Sequence, residues 1–181
     1  IFEEGAMNYK HSDLDDNITD DHKKTLEFEQ AESFSNHKTT VAGVIAAERN
    51  GEGSVGVAYD AKLEGHSWDN EGLANMKDYD IANNSWGKVD PFADNILRNQ
   101  DTVDETSYIE TAVKEGRDAL GTSIVFAGGN DRETGGNSNY HNLQNNINVI
   151  ATGSINKEGD LGKLEQTGDP FSSPGANILV S

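Results

Sequence analysis

Residues 36–47 read NHKTTVAGVIAA, a histidine followed by a run of small and β-branched residues. This run predicts a close-packed helix that begins at His37. A histidine in the first turn of such a helix is held in place by the packing behind it and can serve as a general base. A lone histidine is more often structural, so the interpretation depends on the motifs around it.

Apolar runs alternate with amphipathic stretches on both sides of this segment, which is typical of βαβ units. A second helix is predicted where Ile109, Ala112 and Val113 share one face, over residues 106–120. The pattern predicts an α/β fold for residues 1–181 as one domain, with a mostly parallel twisted sheet and helices on both faces. The expected strands are residues 62–65, 81–85, 123–127 and 148–152, and the expected connectors are residues 13–36, 69–79 and 135–146.

The composition excludes several classes of protein. The chain carries 32 acidic against 14 basic residues, a formal charge of -18, which argues against nucleic acid and anionic membranes as partners. There is no cysteine, so disulfides and thiolate metal sites are excluded. No apolar stretch approaches the length of a membrane span. Because Ile1 and Phe2 read as part of a strand, we expect a domain truncated at its start.

Three further motifs follow in order: NGEGSVGVAYDAKL at residues 50–63, NNSWG at 83–87 and SIVFAGGN at 123–130. Together with residues 36–47 they resemble the subtilisin family, the subtilases or peptidase S8, with details similar to its kexin/furin-like branch. The resemblance implies a serine endopeptidase that hydrolyses peptide bonds through an acyl-enzyme. It also implies that the domain is truncated at its end, before the motif that carries the catalytic serine.

The resemblance implies roles for two polar side chains. His37 matches the general base, and Asn130 matches the side chain that donates a hydrogen bond to the oxyanion. Two further segments match the walls that bind an extended peptide, by strand pairing and at the pocket for the side chain before the cleaved bond. These substrate-binding residues are Ser85, Trp86, Gly87, Ala127, Gly128 and Gly129.

The acid that orients His37 is a glutamate rather than the family's aspartate. Counting back from His11 without a gap places Glu4 at this position, whereas matching Gly5 to the family's glycine places Glu3 there. We prefer Glu4. The motif departs in two more places, where Lys38 replaces a glycine and Thr40 replaces a histidine, and we expect Lys38 to put a bulky cation beside the base.

Calcium is the cofactor that the resemblance implies. Asp13 matches the family's carboxylate ligand, and residues 48–54 match its calcium loop, so the site would be built from oxygen atoms only. The side-chain oxygen of Asn50 and the backbone carbonyls of three other loop residues would complete it. These three are Glu48, Glu52 and Ser54.

Specificity for basic residues is not carried over from the kexin-like branch. Asp90 fits one of its acids, but Gly136, His141 and Ser173 stand where we expect others. Neither Ser172 nor Ser173 has the context of a nucleophile, so we expect the isolated chain to be inactive.

Two functions remain open. The first is a secreted, calcium-stabilised endopeptidase that acts on extended polypeptides, with further domains of the same polypeptide as candidate partners. The second is a degenerate module that binds extended peptides or serves as a calcium-stabilised scaffold, which the glutamate in place of aspartate and the altered histidine motif favour.

Overall fold

The computed structural model describes residues 1–28, 33–165 and 167–180. The chain forms two compact units, Ile1–Gly72 and Leu73–Ser181. In the part of the chain that the model describes, no helix combines the length and the apolar character that crossing a bilayer would need.

The first unit is built around the helix that the histidine motif predicts. This helix, α2, spans Asn36–Ala46, and α1 spans Asp20–Phe28. Ser35 caps α2, because its side chain accepts a hydrogen bond from the backbone N–H of Lys38. The small residues Ala42 and Ala46 are fully buried, which lets the helix pack closely on its neighbours. The core around them consists of Ile1, Met7, Tyr9, Leu14, Ile18 and Leu63.

The prediction of a strand over residues 62–65 is wrong. Leu63 forms only an isolated parallel bridge with Ile18, and His66 forms another with Phe2. The connector predicted over residues 13–36 also contains more structure than expected, a 3-10 helix at Asp15–Asn17 as well as α1. Residues 29–32 of that connector lie outside the described part of the chain.

The second unit contains a parallel sheet in the order β1-β2-β3-β4. Its strands are β1 Ile81–Asn84, β2 Ser123–Ala127, β3 Val149–Thr152 and β4 Ile178–Val180. The first three lie where the apolar runs predict them, and the α/β fold with a parallel sheet is confirmed. Burial alternates along β2, with Ile124 and Phe126 inside.

The long helix of this unit, α4, spans Gln100–Ala119 and begins six residues earlier than predicted. Asn99 caps it by accepting a hydrogen bond from the backbone N–H of Asp101, a signal that the apolar face alone does not carry. Regular helical geometry stops at Gly116, and the last turn has left-handed backbone angles at Arg117 and Asp118. Glycine suits this exit because an added Cβ would overlap the hydroxyl of Thr122.

Short helices complete the chain. The four-residue helix α3 spans Asn70–Leu73, and a 3-10 helix at Ala74–Asp78 packs against α4. Two more 3-10 helices, Arg132–Thr134 and Ser138–Tyr140, follow β2. The first two lie in the connector predicted over residues 69–79, and Ser138–Tyr140 lies in the one predicted over residues 135–146.

Candidate active site

The first unit contains a carboxylate–imidazole pair. His37 lies in the first turn of α2, and its Nδ1 contacts Oε1 of Glu3. The glutamate side chain is 9% exposed, whereas the imidazole is 65% exposed. The second carboxylate oxygen of Glu3, Oε2, is buried and has no hydrogen-bond partner among the described residues. A buried acid therefore holds one end of a largely exposed ring.

The preference for Glu4 as the acid is wrong in position. Glu4 is exposed, and Glu3 is the residue that meets His37. The backbone explains the difference, because Phe2 bridges His66 and the N–H of Glu3 donates to the carbonyl of His66 at 2.9 Å. Glu3 directly follows this bridge, whereas Glu4 lies in the bend that continues at Gly5, and only Glu3 contacts the imidazole. Counting without a gap from His11 therefore gives a register that is off by one residue.

The pair defines the chemistry that His37 can perform. A carboxylate at Nδ1 favours the tautomer with the proton on Nδ1, which leaves a lone pair on Nε2. Because most of the ring is exposed, Nε2 can accept a proton from a hydroxyl group that approaches it. The carboxylate also stabilises the imidazolium that this transfer would produce.

The expectation that Lys38 projects beside the base is wrong. Lys38 is 1% exposed, and its ammonium group is turned into the first unit, where backbone carbonyls surround it. Thr40 donates its hydroxyl hydrogen to the backbone carbonyl of Asn36 on the same helix. Neither of these two departures from the family motif therefore places a cation at the exposed side of His37.

The turn that carries Asn130 belongs to the second unit and follows β2. Gly129 has a φ of 101°, a left-handed conformation that favours glycine, and its carbonyl accepts a hydrogen bond from the N–H of Ser173 at 2.9 Å. The hydroxyl of Ser173 in turn accepts from the N–H of Asp131 at 3.0 Å. Asn130 is exposed at the tip of this turn. Ser173 therefore supports the turn, a role that the sequence reasoning missed.

The predicted substrate-binding segments lie at one edge of the sheet of the second unit. Ser85, Trp86 and Gly87 follow the carboxyl end of β1, and Gly128 and Gly129 follow that of its parallel neighbour β2. Binding sites of parallel α/β sheets are found at this edge. The indole of Trp86 packs edge-on against Phe126, with ring centroids 5.2 Å apart. Ala127 is the last residue of β2, and at Gly87 a Cβ would lie 2.5 Å from the amide nitrogen of Gln144.

The predicted calcium ligands are brought together in the first unit. Asp13 is 6% exposed, and its Oδ2 accepts a hydrogen bond from the N–H of Ser54 at 3.0 Å. The N–H of Glu48 donates to the carbonyl of Asp13, and the side-chain amide of Asn50 donates to the carbonyl of Ser12. A Cβ at Gly53 would overlap the Asp13 carboxylate, so the loop needs glycine there to close around it.

These residues fit calcium by their chemistry. No group of three or more His, Asp or Glu side chains in the described residues could hold a metal ion, so a site here would take most of its ligands from amide and carbonyl oxygens. One buried carboxylate beside a loop of backbone carbonyls is a donor set of that kind. The side-chain oxygen of Asn50 accepts a hydrogen bond from the N–H of Glu52, which orders the loop.

A buried contact between a histidine and an aspartate in the second unit was missed by the sequence reasoning. Nδ1 of His141 lies 3.3 Å from Oδ1 of Asp94, and the two side chains are 8% and 0% exposed. The other oxygen of Asp94 accepts a hydrogen bond from the N–H of Leu143. Asp90, by contrast, is exposed. The pairing joins residues 47 positions apart, so no local pattern could have shown it.

Comparisons with known proteins show the family of the chain. The model of the family described as "Subtilase family" matches residues 3–180. Kexin of Saccharomyces cerevisiae is 31% identical over 166 residues, which cover 83% of this chain and 20% of that protein. The minor extracellular protease Epr of Bacillus subtilis is 30% identical over 151 residues, or 78% of this chain and 22% of that protein.

The fold has a counterpart among solved structures. A serine protease of Aeromonas sobria superposes with a TM-score of 0.77 at 22% identity, over 99% of this chain and 35% of that one. The chain thus spans about a fifth of the length of the two curated relatives. Because the family model matches nearly every residue, the chain belongs to the subtilase family and is similar to its kexin-like members.

Proposed function

We propose that these residues form most of the catalytic domain of a serine endopeptidase that cleaves peptide bonds through an acyl-enzyme. The observation that carries the proposal is the pairing of Nδ1 of His37 with the buried carboxylate of Glu3, while the rest of the imidazole is exposed. A base oriented by an acid in this way is the part of a catalytic triad that acts on the nucleophile.

In the proposed reaction, each residue has one task. Glu3 keeps the proton of His37 on Nδ1, and Nε2 takes the proton of a serine hydroxyl as that oxygen attacks the peptide carbonyl. The side-chain amide of Asn130 donates a hydrogen bond to the oxygen that becomes negative. The imidazolium then gives its proton to the leaving amine, and a water molecule repeats the sequence to release the acid.

The proposal takes the nucleophile from sequence outside these residues, where the family resemblance places it. Ser172 and Ser173 are each 5% exposed, and their hydroxyl oxygens accept hydrogen bonds from the N–H groups of Ser154 and Asp131. A buried serine that is engaged with the backbone cannot attack a bound peptide. We therefore expect no peptide turnover by the 181-residue chain alone.

The substrate in this proposal is a polypeptide in extended conformation. It would pair its backbone with Ser85, Trp86 and Gly87 and be bounded on the other side by residues 127–129, where the glycines let a side chain approach closely. The charge of -18 disfavours nucleic acid and anionic membranes as partners, and further domains of the same polypeptide are candidates.

We also propose that the protein is secreted and stabilised by calcium. The absence of cysteine is compatible with bacterial secretion. When bound, Ca²⁺ would tie the loop of residues 48–54 to Asp13 and so support the base of α2, with no part in the chemistry. Detection of the protein in culture medium would test secretion, and its presence only in the cytoplasm would contradict it.

A fluorophosphonate probe on the full-length protein that carries these residues tests the main proposal. We expect covalent labelling of one serine, loss of labelling in His37→Gln, and normal labelling in Glu4→Gln, which changes an exposed acid next to Glu3. A folded wild-type protein that takes up no label would end the proposal.

That outcome would favour the second function, a module that binds extended peptides without cleaving them. It is supported by the glutamate at the acid position and the lysine after His37. Binding of unstructured peptides by a folded protein that the probe leaves unlabelled would establish it.

A further inference from the structure

Lys38 is the most deeply buried cationic side chain among the described residues, at 1% exposure. Its Nζ donates hydrogen bonds to three backbone carbonyls: those of Glu3 at 2.9 Å, Gly5 at 2.7 Å and His66 at 2.8 Å. An ammonium group has three hydrogens, so all of its donors are used. Lysine is almost never fully buried unless it is paired, so the burial of Lys38 calls for a structural reason.

Two of the three acceptors lie on the backbone that carries the acid, and the third, at His66, lies on the segment paired with it. The carbonyls of Glu3 and Gly5 flank Glu4, and the carbonyl of His66 also accepts the N–H of Glu3. At Gly5 the chain turns with a φ of 74°, and a Cβ there would lie 3.1 Å from the Cβ of Ser35. Lys38 therefore ties the segment that bears Glu3 to the first turn of α2, the same turn that bears His37.

The electrostatic interaction between Lys38 and Glu3 supports the same role for the lysine. Burial lowers the pKa of Lys38 to about 8, and the carboxylate of Glu3 opposes this shift. Glu3 is thus the nearby anion that favours the charged ammonium. The other titratable side chains that interact with the ammonium are His22 and His66, and Glu64 acts on both of these histidines.

We propose that Lys38 is a positioning residue for the acid: by holding the carbonyls of Glu3 and Gly5 it sets the backbone so that the longer glutamate places its carboxylate on Nδ1 of His37. This inference rests on the proposed function. The chain departs from the family pattern in two places, with glutamate in place of aspartate and lysine in place of glycine. In this proposal the lysine compensates for the greater length of the glutamate. A glutamate on an unrestrained segment would place its carboxylate over a range of positions.

The first test is kinetic and uses the full-length protein. In Lys38→Met, which keeps an unbranched side chain as far as the ε carbon but removes the ammonium donors, we expect kcat to fall about a hundredfold, the effect of a misplacement of about 1 Å. KM should stay within about twofold, because the lysine does not contact substrate. The matched control is Lys62→Met, since Lys62 also donates to a backbone carbonyl, that of Asp16, but is exposed. A Lys38→Met enzyme with wild-type kcat would overturn the proposal.

A double-mutant cycle separates positioning from general destabilisation. Glu3→Asp shortens the side chain by one methylene and so withdraws the carboxylate from His37. The resulting loss of kcat should be large while Lys38 holds the backbone in place. In the Lys38→Met background we expect the factor by which Glu3→Asp lowers kcat to be at least about tenfold smaller than in the wild-type background. Losses that simply multiply would show that the two residues act independently.

A second readout does not depend on activity. The proton on Nδ1 of His37 gives a separate NMR resonance when it is held by a carboxylate, and we expect Lys38→Met to broaden or remove it while Lys62→Met leaves it intact. If Lys38→Met does not fold, Lys38→Gln takes its place, since its amide is one atom nearer the backbone and has two hydrogens for three carbonyls. We expect a weakened resonance in Lys38→Gln, and an unchanged one would overturn the proposal. If the fluorophosphonate probe fails on wild type, the proposed function falls, and the resonance still decides the role of Lys38.

Discussion

Replacing Glu3 by glutamine removes the charge of the acid while keeping its size. The side chain is 9% exposed and contacts Nδ1 of His37, so the amide would occupy nearly the same space. An amide can present its NH₂ group to Nδ1, which would force the ring proton onto Nε2. His37 could then no longer accept a proton from the nucleophile.

The size of the effect follows from two contributions. At a charge separation of about 4 Å and an effective dielectric constant of about 20, a carboxylate stabilises the imidazolium by about 4 kcal/mol, which corresponds to roughly a thousandfold in rate. Loss of the reactive tautomer adds to this. We therefore expect kcat to fall by about 10⁴, or about 5.4 kcal/mol of transition-state stabilisation, with KM little changed.

The assay is cleavage of a fluorogenic peptide by the full-length protein, with active sites counted by fluorophosphonate titration. Glu4→Gln is the matched control, because it makes the same chemical change at an exposed neighbouring position, and it should keep activity within about twofold of wild type. If Glu3→Gln retained more than about a tenth of the wild-type kcat, or if Glu4→Gln lost as much as Glu3→Gln, the assignment of Glu3 would be refuted.

The other predictions concern the oxyanion, the calcium loop and Lys38. Asn130→Ala should lower kcat by about 10²–10³ with KM nearly constant, as for one lost oxyanion donor in a subtilisin, and an unchanged kcat would exclude that role. Calcium at 100 times its Kd should stabilise the protein by about 2.7 kcal/mol, and chelation should lower Tm in wild type but not in Asp13→Asn. Gly53→Ala should destabilise more than Gly51→Ala in thermal melts, since both positions have positive φ but only a Cβ at Gly53 meets the Asp13 carboxylate. Because the pKa of Lys38 is about 8 when folded and 10.5 ordinarily, the folded state binds fewer protons between these values. Its contribution to the free energy of unfolding should therefore increase from pH 8 to 10.5, and Lys38→Met should remove that increase in chemical denaturation.

Much of the fold could be predicted from local patterns. Small residues after His37 and apolar runs at three strands indicate elements that the structure contains at nearly the same bounds. The pattern at residues 62–65 predicts a strand, but only Leu63 pairs there, in one isolated bridge with Ile18, because pairing depends on which distant segment lies alongside. The start of α4 was missed because it depends on the cap at Asn99 rather than on the apolar face.

In the candidate site, too, some features can be predicted from local sequence and others cannot. The place of the candidate base in the first turn of α2 follows from residue types at short spacing, which a sequence shows directly. The contact of His141 with Asp94 and the support that Ser173 gives to the Asn130 turn join residues more than 40 positions apart along the chain. Such contacts exist only after the chain has folded.

The acid partner of His37 is the clearest case of a contact that local sequence does not determine. Residue order alone established that one of two adjacent glutamates precedes Gly5 and that a lysine follows the histidine. The three-dimensional structure decided that Glu3 is the partner of His37 and that Lys38 points inward, because the bridge between Phe2 and His66 sets the register of the segment. In an extended chain a shift of one residue turns every side chain to the opposite side, so the register determines which carboxylate meets the imidazole.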